Sequence, residues 1–202
     1  MTYPLASSTW GKEELDAIQE VIDSDMYTMG AKVKQFEKEF ADYFGSPNAI
    51  MTNSGSSANL LMMSLLKWRH AWNNKDVIVP ALGWSTSYFP IVQNNMKLNF
   101  VDIDPNTFNI DPAKIEEAIT PNTKAILAVN MLGNPCDFTA IKEICKKHEL
   151  ILLEDNCESM GAKWNNRNCG TLGLAGTFSF FFSHHIQTME GGMILTPNEE
   201  DA

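Results

Sequence analysis

Three parts of this sequence carry side chains that suit chemistry on a small phosphorylated molecule. The turn at residues 54–57 reads Ser-Gly-Ser-Ser and precedes a long apolar segment that predicts a helix. Asp155 ends an apolar run, and His184 lies between an aromatic-rich segment and a pair of glycines. Such a turn binds phosphate, a carboxylate pairs with a cation, and an imidazole transfers protons near neutral pH.

The serine turn is the candidate phosphate site. Backbone N–H groups at the start of a helix, together with small hydroxyl side chains, form a cradle for phosphate. A helix that is merely capped after a glycine turn has the same pattern, so these residues alone leave both interpretations open.

Asp155 and Trp84 both lie where a predicted strand ends, and each is a candidate for contact with a ligand. A carboxylate at the end of a buried strand needs a partner, which a helix terminus, Arg69 or Arg167 would also provide. Trp84 follows a strand that ends at Val79, at the edge where open α/β sheets bind ligands. An indole there either stacks on a ring or fills the core.

Short apolar strands and amphipathic helices alternate along the chain. The predicted helices cover 11–24, 32–44, 55–71, 85–94 and 138–148, with a short one starting at Pro112. The predicted strands cover 49–52, 77–80, 99–102, 125–129 and 150–153. Continuous apolar strands between helices predict an α/β domain with a mostly parallel sheet, covered on both faces.

Composition excludes some classes of protein. The 202 residues carry a net charge of −10, and a nucleic-acid-binding protein would need a basic surface instead. Four cysteines without a CxxC pair indicate a reducing compartment. The sequence has no signal peptide and no apolar run of about 20 residues, so we expect a cytoplasmic protein with no membrane partner.

Two segments carry a resemblance to a known family. One reads Ile-Leu-Leu-Glu-Asp-Asn-Cys-Glu over 151–158, and the other runs from Phe-Ser-Phe at 178–180 to Glu-Gly-Gly at 190–192. Together they resemble the large domain of the pyridoxal-phosphate-dependent nucleotide-sugar aminotransferases of DegT/DnrJ/EryC1/StrS type. The resemblance covers nearly the whole chain. It implies the aspartate-aminotransferase-like fold (fold type I), with a mixed, mostly parallel sheet.

The resemblance also implies roles for individual residues. In the family, an acidic residue after an apolar strand faces the pyridine nitrogen of the cofactor, and Asp155 matches it. Serines that contact the cofactor phosphate match Ser56, Ser57 and Ser179. An aromatic residue that stacks on the pyridine ring matches Trp84.

His184 stands where most of the family has the lysine that binds the cofactor covalently. Lys163 is the last lysine of the chain. The lysine-less branch of the family comprises nucleotide-sugar 3-dehydratases, which carry histidine at this position. The resemblance therefore implies non-covalent pyridoxamine 5'-phosphate or pyridoxal 5'-phosphate. It also implies His184 as the acid/base that removes the C3 hydroxyl of a nucleotide-linked 4-keto-6-deoxyhexose. Glu158 would contact the sugar.

Three other interpretations stay open. The chain could be a nucleotide-sugar 4-aminotransferase with a shifted lysine, although no lysine lies near 184. It could be a truncated, non-catalytic fragment that acts only through subunit association. It could be a Rossmann-type dinucleotide enzyme, although the motif G-x-G-x-x-G is missing after the first strand.

Members of the family usually continue into a small C-terminal domain, so we expect residues 1–202 to be the cofactor-binding large domain alone. Family active sites form between two subunits, which predicts a homodimer. One variant of the branch regenerates its cofactor with an amino acid such as glutamate. Another uses an iron–sulfur cluster, and Cys157 falls on its first cysteine ligand. We favour Cys157 as a small buried residue, and we predict no metal site in this chain.

Overall fold

The computed structural model of the chain describes residues 3–4 and 6–197, so residues 198–202 of the predicted domain lie outside the described part. The helices are α1 (Lys12–Asp23), α2 (Ala31–Phe44), α3 (Gly55–His70), α4 (Ser85–Gln93), α5 (Pro112–Ala118) and α6 (Phe138–His148). The strands are β1 (Asn48–Thr52), β2 (Asp76–Pro80), β3 (Lys97–Val101), β4 (Thr123–Val129), β5 (Ile151–Asp155), β6 (Lys163–Trp164), β7 (Arg167–Asn168), β8 (Ala175–Ser179) and β9 (Gly192–Thr196). None of the described helices has the length and apolarity needed to cross a bilayer.

Seven strands form one sheet in the order β1-β9-β8-β5-β4-β2-β3. Strands β8, β5, β4, β2 and β3 run parallel to one another, whereas β9 is antiparallel to both of its neighbours. Strands β6 and β7 form a separate two-stranded ribbon. The predicted mixed, mostly parallel sheet is confirmed.

The strands are buried on both faces because successive side chains point to opposite sides of the sheet. In β4, Leu127 packs into a cluster with residues of α3 and α4, while Ile126 packs into another with α5 and α6. A third cluster joins Phe40 and Phe44 of α2 to Phe178 of β8 and to Phe180 just after that strand. Helices therefore cover both faces, as the apolar runs predict.

This alternation separates the two acidic residues at the end of β5. Glu154 is fully buried on the face of the α6 cluster, and its carboxylate accepts three backbone N–H bonds, each of 2.6 Å. Oε2 accepts from Gly170, and Oε1 accepts from Leu172 and Gly173. Burial raises the pKa of Glu154, and the three N–H donors oppose that shift. The interpretation of Glu154 as a structural residue fits these contacts.

Gly55 brings the start of α3 against the end of β8. A Cβ atom at this position would lie 2.5 Å from the Cβ of Ser179 and 2.9 Å from the sulfur of Cys157. Real Cβ atoms do not approach other atoms this closely, so only glycine permits this approach without a shift of the neighbouring backbone. The serine turn and Ser179 are adjacent for this reason.

We predict that Glu154→Gln destabilises the protein by about 1–3 kcal/mol. The glutamine oxygen can still accept from Leu172 and Gly173, but its amide nitrogen would face the N–H of Gly170, leaving a buried donor unpaired. Urea denaturation measures the change. Glu143→Gln, at an exposed position of α6, is the matched control. Equal unfolding midpoints for the two variants would contradict the prediction.

We predict that Gly55→Ala also destabilises the protein, by about 1–3 kcal/mol, because the added methyl overpacks the contact with β8. Alanine otherwise favours a helix over glycine, so the expected sign is opposite to that of helix propensity. Gly11→Ala is the control, since a Cβ there meets only the Glu14 side chain at 3.7 Å. Thermal unfolding of both variants is the measurement, and a Gly55→Ala protein as stable as the wild type would refute the packing argument.

Candidate active site

Asp155 lies at the centre of the carboxyl edge of the parallel strands, and its side chain is 3% exposed. Its Oδ2 accepts a 2.7 Å hydrogen bond from the hydroxyl of Ser87 and a 2.9 Å bond from the side-chain amide of Asn59. Its Oδ1 accepts from the backbone N–H of Cys157 at 3.1 Å. The partners of this buried carboxylate are therefore neutral donors, and the arginine considered from the sequence is not among them.

The donors come from the two helices that cover this face. Asn59 lies in α3 and Ser87 in α4, and both side chains are buried. The hydroxyl of Thr177, in β8, donates to Oδ1 of Asn59 at 2.7 Å. Sequence reasoning missed these three residues. The signal that could have found them is a polar side chain within an apolar helix or strand, as at Asn59 and Thr177.

The serine turn has the geometry of a capped helix start. Ser54 is the N-cap of α3, and its hydroxyl accepts from the N–H of Ser57 at 3.1 Å. Ser56 is exposed and Ser57 is half-buried at the first turn. Ser179 is buried, and its hydroxyl accepts from the N–H of Phe181. This capping does not exclude anion binding, because the other N–H groups of the first turn still point out of the helix.

Trp84 is the N-cap residue of α4 and is 73% exposed, which excludes the core-filling role considered from the sequence. Its loop is held by Tyr88, whose hydroxyl donates to the carbonyl of Pro80 at 2.8 Å. Burial, and then the charge of Asp155, raise the pKa of Tyr88 to about 12, so the phenol keeps its proton. The indole is therefore presented to solvent from an anchored loop.

Glu158 lies on the loop that follows β5 and is half-buried. Its Oε2 accepts from the backbone N–H of Leu132 at 3.4 Å. Leu132 has a φ of 52° in the turn after β4, and its side chain is 73% exposed. The ends of β4 and β5 are thus linked by the carboxylate of Glu158.

His184 follows β8 in an irregular segment and is half-buried. Its backbone N–H donates to the carbonyl of Phe181 at 2.9 Å, and the two rings lie 6.1 Å apart, edge to face. Burial lowers the pKa of the imidazole, and the charges of Glu158 and Asp155 oppose that shift. The imidazole is therefore mostly neutral at pH 7, and the negative charges of both carboxylates act on it.

Cys157 completes this edge. Its sulfur lies beside Gly55, and burial raises the pKa of the thiol well above its usual value, with Asp155 adding to the shift. The group therefore remains a neutral thiol, which fits the interpretation as a small residue packed beside the site. The described residues hold no group of three or more histidine, cysteine or acidic side chains arranged for a metal ion.

Together, these elements offer one group of residues that suits a phosphate and another that suits a flat ring, which we name the phosphate end and the ring end. The start of α3 and Ser179 form the first, while Trp84 and Asp155 form the second. Asp155 accepts three hydrogen bonds of the roughly four that a carboxylate can accept, and the thiol of Cys157 also lies against it, so a ligand N–H would take the remaining position beside that thiol. The residues present fit a phosphorylated pyridine.

Comparison with known proteins agrees with this geometry. GDP-4-keto-6-deoxy-D-mannose 3-dehydratase of Yersinia pseudotuberculosis is 57% identical over 203 residues, covering 99% of this chain and 52% of the relative. The E. coli GDP-4-keto-6-deoxy-D-mannose-3-dehydratase with bound hydrated PLP has a TM-score of 0.95 at 55% identity, covering 99% of this chain and 52% of that one.

A solved GDP-4-keto-6-deoxymannose-3-dehydratase variant, with a histidine replaced by asparagine and with bound GDP-perosamine, has a TM-score of 0.94 at 55% identity. It is covered over 53% of its length by 99% of this chain. The chain thus spans about half the length of these relatives.

Residues 8–202 match the DegT/DnrJ/EryC1/StrS aminotransferase family, and they include every part of the site described above. The resemblance drawn from the two sequence segments is confirmed, and the chain belongs to the DegT/DnrJ/EryC1/StrS aminotransferase family.

Proposed function

We propose that this chain is the cofactor-binding part of a nucleotide-sugar 3-dehydratase that uses pyridoxamine 5'-phosphate or pyridoxal 5'-phosphate without a covalent bond. The observation that carries the proposal is the half-buried His184, which follows β8 and is influenced by the charges of Glu158 and Asp155, with no lysine between Lys163 and this position. The similar dehydratases support a GDP-linked 4-keto-6-deoxyhexose as the substrate.

The phosphate of the cofactor would bind at the start of α3. Ser56 and Ser57 offer hydroxyl groups, Ser56 adds an N–H group of the first helical turn, and Ser179 adds a hydroxyl from β8. The close approach at Gly55 supports this assignment, because it brings the two elements to one point. The helix dipole favours the negative charge of a phosphate there.

The ring of the cofactor would lie between Trp84 and the end of β5. Trp84 would stack on the ring, and Asp155 would accept a hydrogen bond from the protonated ring nitrogen. When bound, pyridoxamine phosphate supplies an amine that condenses with the C4 ketone of the sugar, and a ring that acts as an electron sink. Holding the ring by stacking and hydrogen bonding replaces the missing covalent bond.

His184 would be the acid/base of the reaction. A neutral imidazole accepts a proton at pH 7, and the lowered pKa of His184 keeps it neutral. The imidazole would take up one proton from the methylene carbon of the bound cofactor. It would then deliver this proton to the C3 hydroxyl, which would leave as water. None of the hydrogen bonds among the described residues uses its ring nitrogens, which agrees with this role.

Glu158 would contact the sugar, because its carboxylate lies at the same edge of the sheet as His184 and its negative charge raises the pKa of that imidazole.

Exposed apolar side chains on α3 and α4, such as Trp68 and Phe89, support a homodimer that buries this side of the molecule. The free thiols of the four cysteines support a location in the reducing cytoplasm.

Borohydride reduction of the protein loaded with pyridoxal phosphate tests the proposal. We expect bound cofactor that dialyses away and no labelled lysine in the intact mass, because His184 cannot bond to it covalently. Incubation with pyridoxamine phosphate and GDP-4-keto-6-deoxymannose should give a sugar product lighter by one oxygen atom, because C3 exchanges its hydroxyl group for hydrogen while pyridoxamine phosphate is oxidised to pyridoxal phosphate and releases ammonia. A single labelled lysine, or an amino sugar as product, would refute the dehydratase assignment in favour of an aminotransferase.

We predict that His184→Asn lowers the dehydration rate by about 10²–10⁴-fold, the usual contribution of general acid/base catalysis. Binding of pyridoxamine phosphate, measured by the fluorescence of the cofactor, should persist because Asp155 and the serine turn are unchanged. In the wild type, the rate should fall on the acid side only below the ordinary histidine pKa of about 6.5, since the protonated imidazole cannot accept a proton.

His185→Asn is the matched control, because His185 is the exposed neighbour of His184. This variant should keep the rate within a small factor of the wild type. A large loss with His185→Asn and none with His184→Asn would place the catalytic base one residue away and would contradict the assignment.

A further inference from the structure

Asn59 is a buried amide that joins α3 to two strands of the sheet. Its side chain is 1% exposed and lies one helical turn after the N-cap Ser54. Nδ2 donates to Oδ2 of Asp155 at 2.9 Å, and Oδ1 accepts from the hydroxyl of Thr177 at 2.7 Å. Both ends of the amide are therefore engaged, and one engages the carboxylate at the ring end of the site.

The hydroxyl of Thr177 favours one orientation of this amide, together with the carbonyl oxygen of Thr86, an acceptor that lies 3.4 Å from Nδ2. An amide turned the other way would place its oxygen against the carboxylate oxygen of Asp155, where two acceptors repel. It would also turn its NH₂ toward Thr177, whose hydroxyl lies 3.3 Å from the carbonyl oxygen of Glu154 as well. The shorter 2.7 Å bond to Asn59 Oδ1 selects the orientation in which Asp155 receives a donor.

Asp155 is thus surrounded by donors that carry no charge. Ser87 and Asn59 both donate to Oδ2, and the N–H of Cys157 donates to Oδ1. Such donors stabilise an ionised carboxylate, and they do not neutralise it as an arginine would. The negative charge stays available to a cation placed at the remaining acceptor position.

We infer that Asn59 is a positioning residue that, through the carboxylate of Asp155, keeps the proton of a bound pyridine on the ring nitrogen. The inference rests on the proposed function. A proton between a pyridine and a carboxyl group can lie on either partner, and every donor to the carboxylate favours its ionised form. The proton then stays on the ring, and a protonated ring is the stronger electron sink.

The test is the ¹⁵N NMR signal of ring-labelled pyridoxamine phosphate bound to the protein, since this signal separates protonated from unprotonated pyridine nitrogen. In the wild type we expect the protonated position at neutral pH. Asn59→Leu should lower the ratio of nitrogen-bound to carboxyl-bound proton roughly ten- to hundredfold, moving the signal toward the unprotonated position. Asn59→Leu combined with Ser87→Ala should move it further.

Thr177→Val provides a second variant, should Asn59→Leu fold poorly. Valine keeps the shape of threonine but removes the hydroxyl that orients Asn59, so the signal should move in the same direction by less. Thr177→Ser keeps the hydroxyl and should keep the wild-type signal. The Tm of each variant without cofactor reports any structural loss, which alone would not move the nitrogen signal of the bound ring.

Each outcome decides the question. A nitrogen signal that stays at the protonated position in both Asn59→Leu and the double variant, with cofactor bound, overturns the inference and leaves the proposed function standing. An unprotonated signal in the wild type overturns the inference as well. A wild-type protein that binds no pyridoxamine phosphate overturns the proposed function and the inference together.

Discussion

The burial of one carboxylate, that of Asp155, sets the arrangement of the site. A charged group at 3% exposure must have all its neighbours in place, and here they come from α3, from α4 and from the chain just after β5. The two helices that supply Asn59 and Ser87 also carry the serine turn and Trp84 at their starts. Satisfying the carboxylate therefore positions both ends of the site.

Most of the scaffold follows from local patterns in the sequence. Apolar runs predict β2 and β5 within one or two residues, and Gly45 ends α2 where the sequence predicts, because it adopts a left-handed conformation with φ of 71°. The β6–β7 ribbon escapes prediction, since two-residue polar strands have no periodicity. For the acidic pair, only strand alternation distinguishes the structural residue from the site residue, because it puts Glu154 and Asp155 on opposite faces of the sheet.

The residues of the site also fall into those that the sequence predicts and those that it does not. Asp155 and the serine turn are predictable from the local sequence, because Asp155 ends an apolar strand and the serine turn begins a helix. The partners of Asp155 are not, because Asn59 and Ser87 lie 96 and 68 residues away along the chain. The packing of each helix on the sheet decides which of its polar side chains contacts the carboxylate. Local sequence patterns do not predict this packing. The roles toward ligands remain predictions for all the site residues, namely Ser56, Ser57, Trp84, Asp155, Ser179, Glu158 and His184.

The pairing of β1 has a consequence for the order in which the chain acquires its structure. Residues Asn48–Thr52 hydrogen-bond to Gly192–Thr196, a strand that the ribosome makes almost 150 residues later, and in the part of the chain that the structure describes β9 is the one strand paired with β1. Contacts so distant along the chain form slowly and late. The serine turn, which directly follows β1, therefore reaches its final place only after nearly all of these residues have been synthesised, and the nascent chain is exposed to misfolding until then.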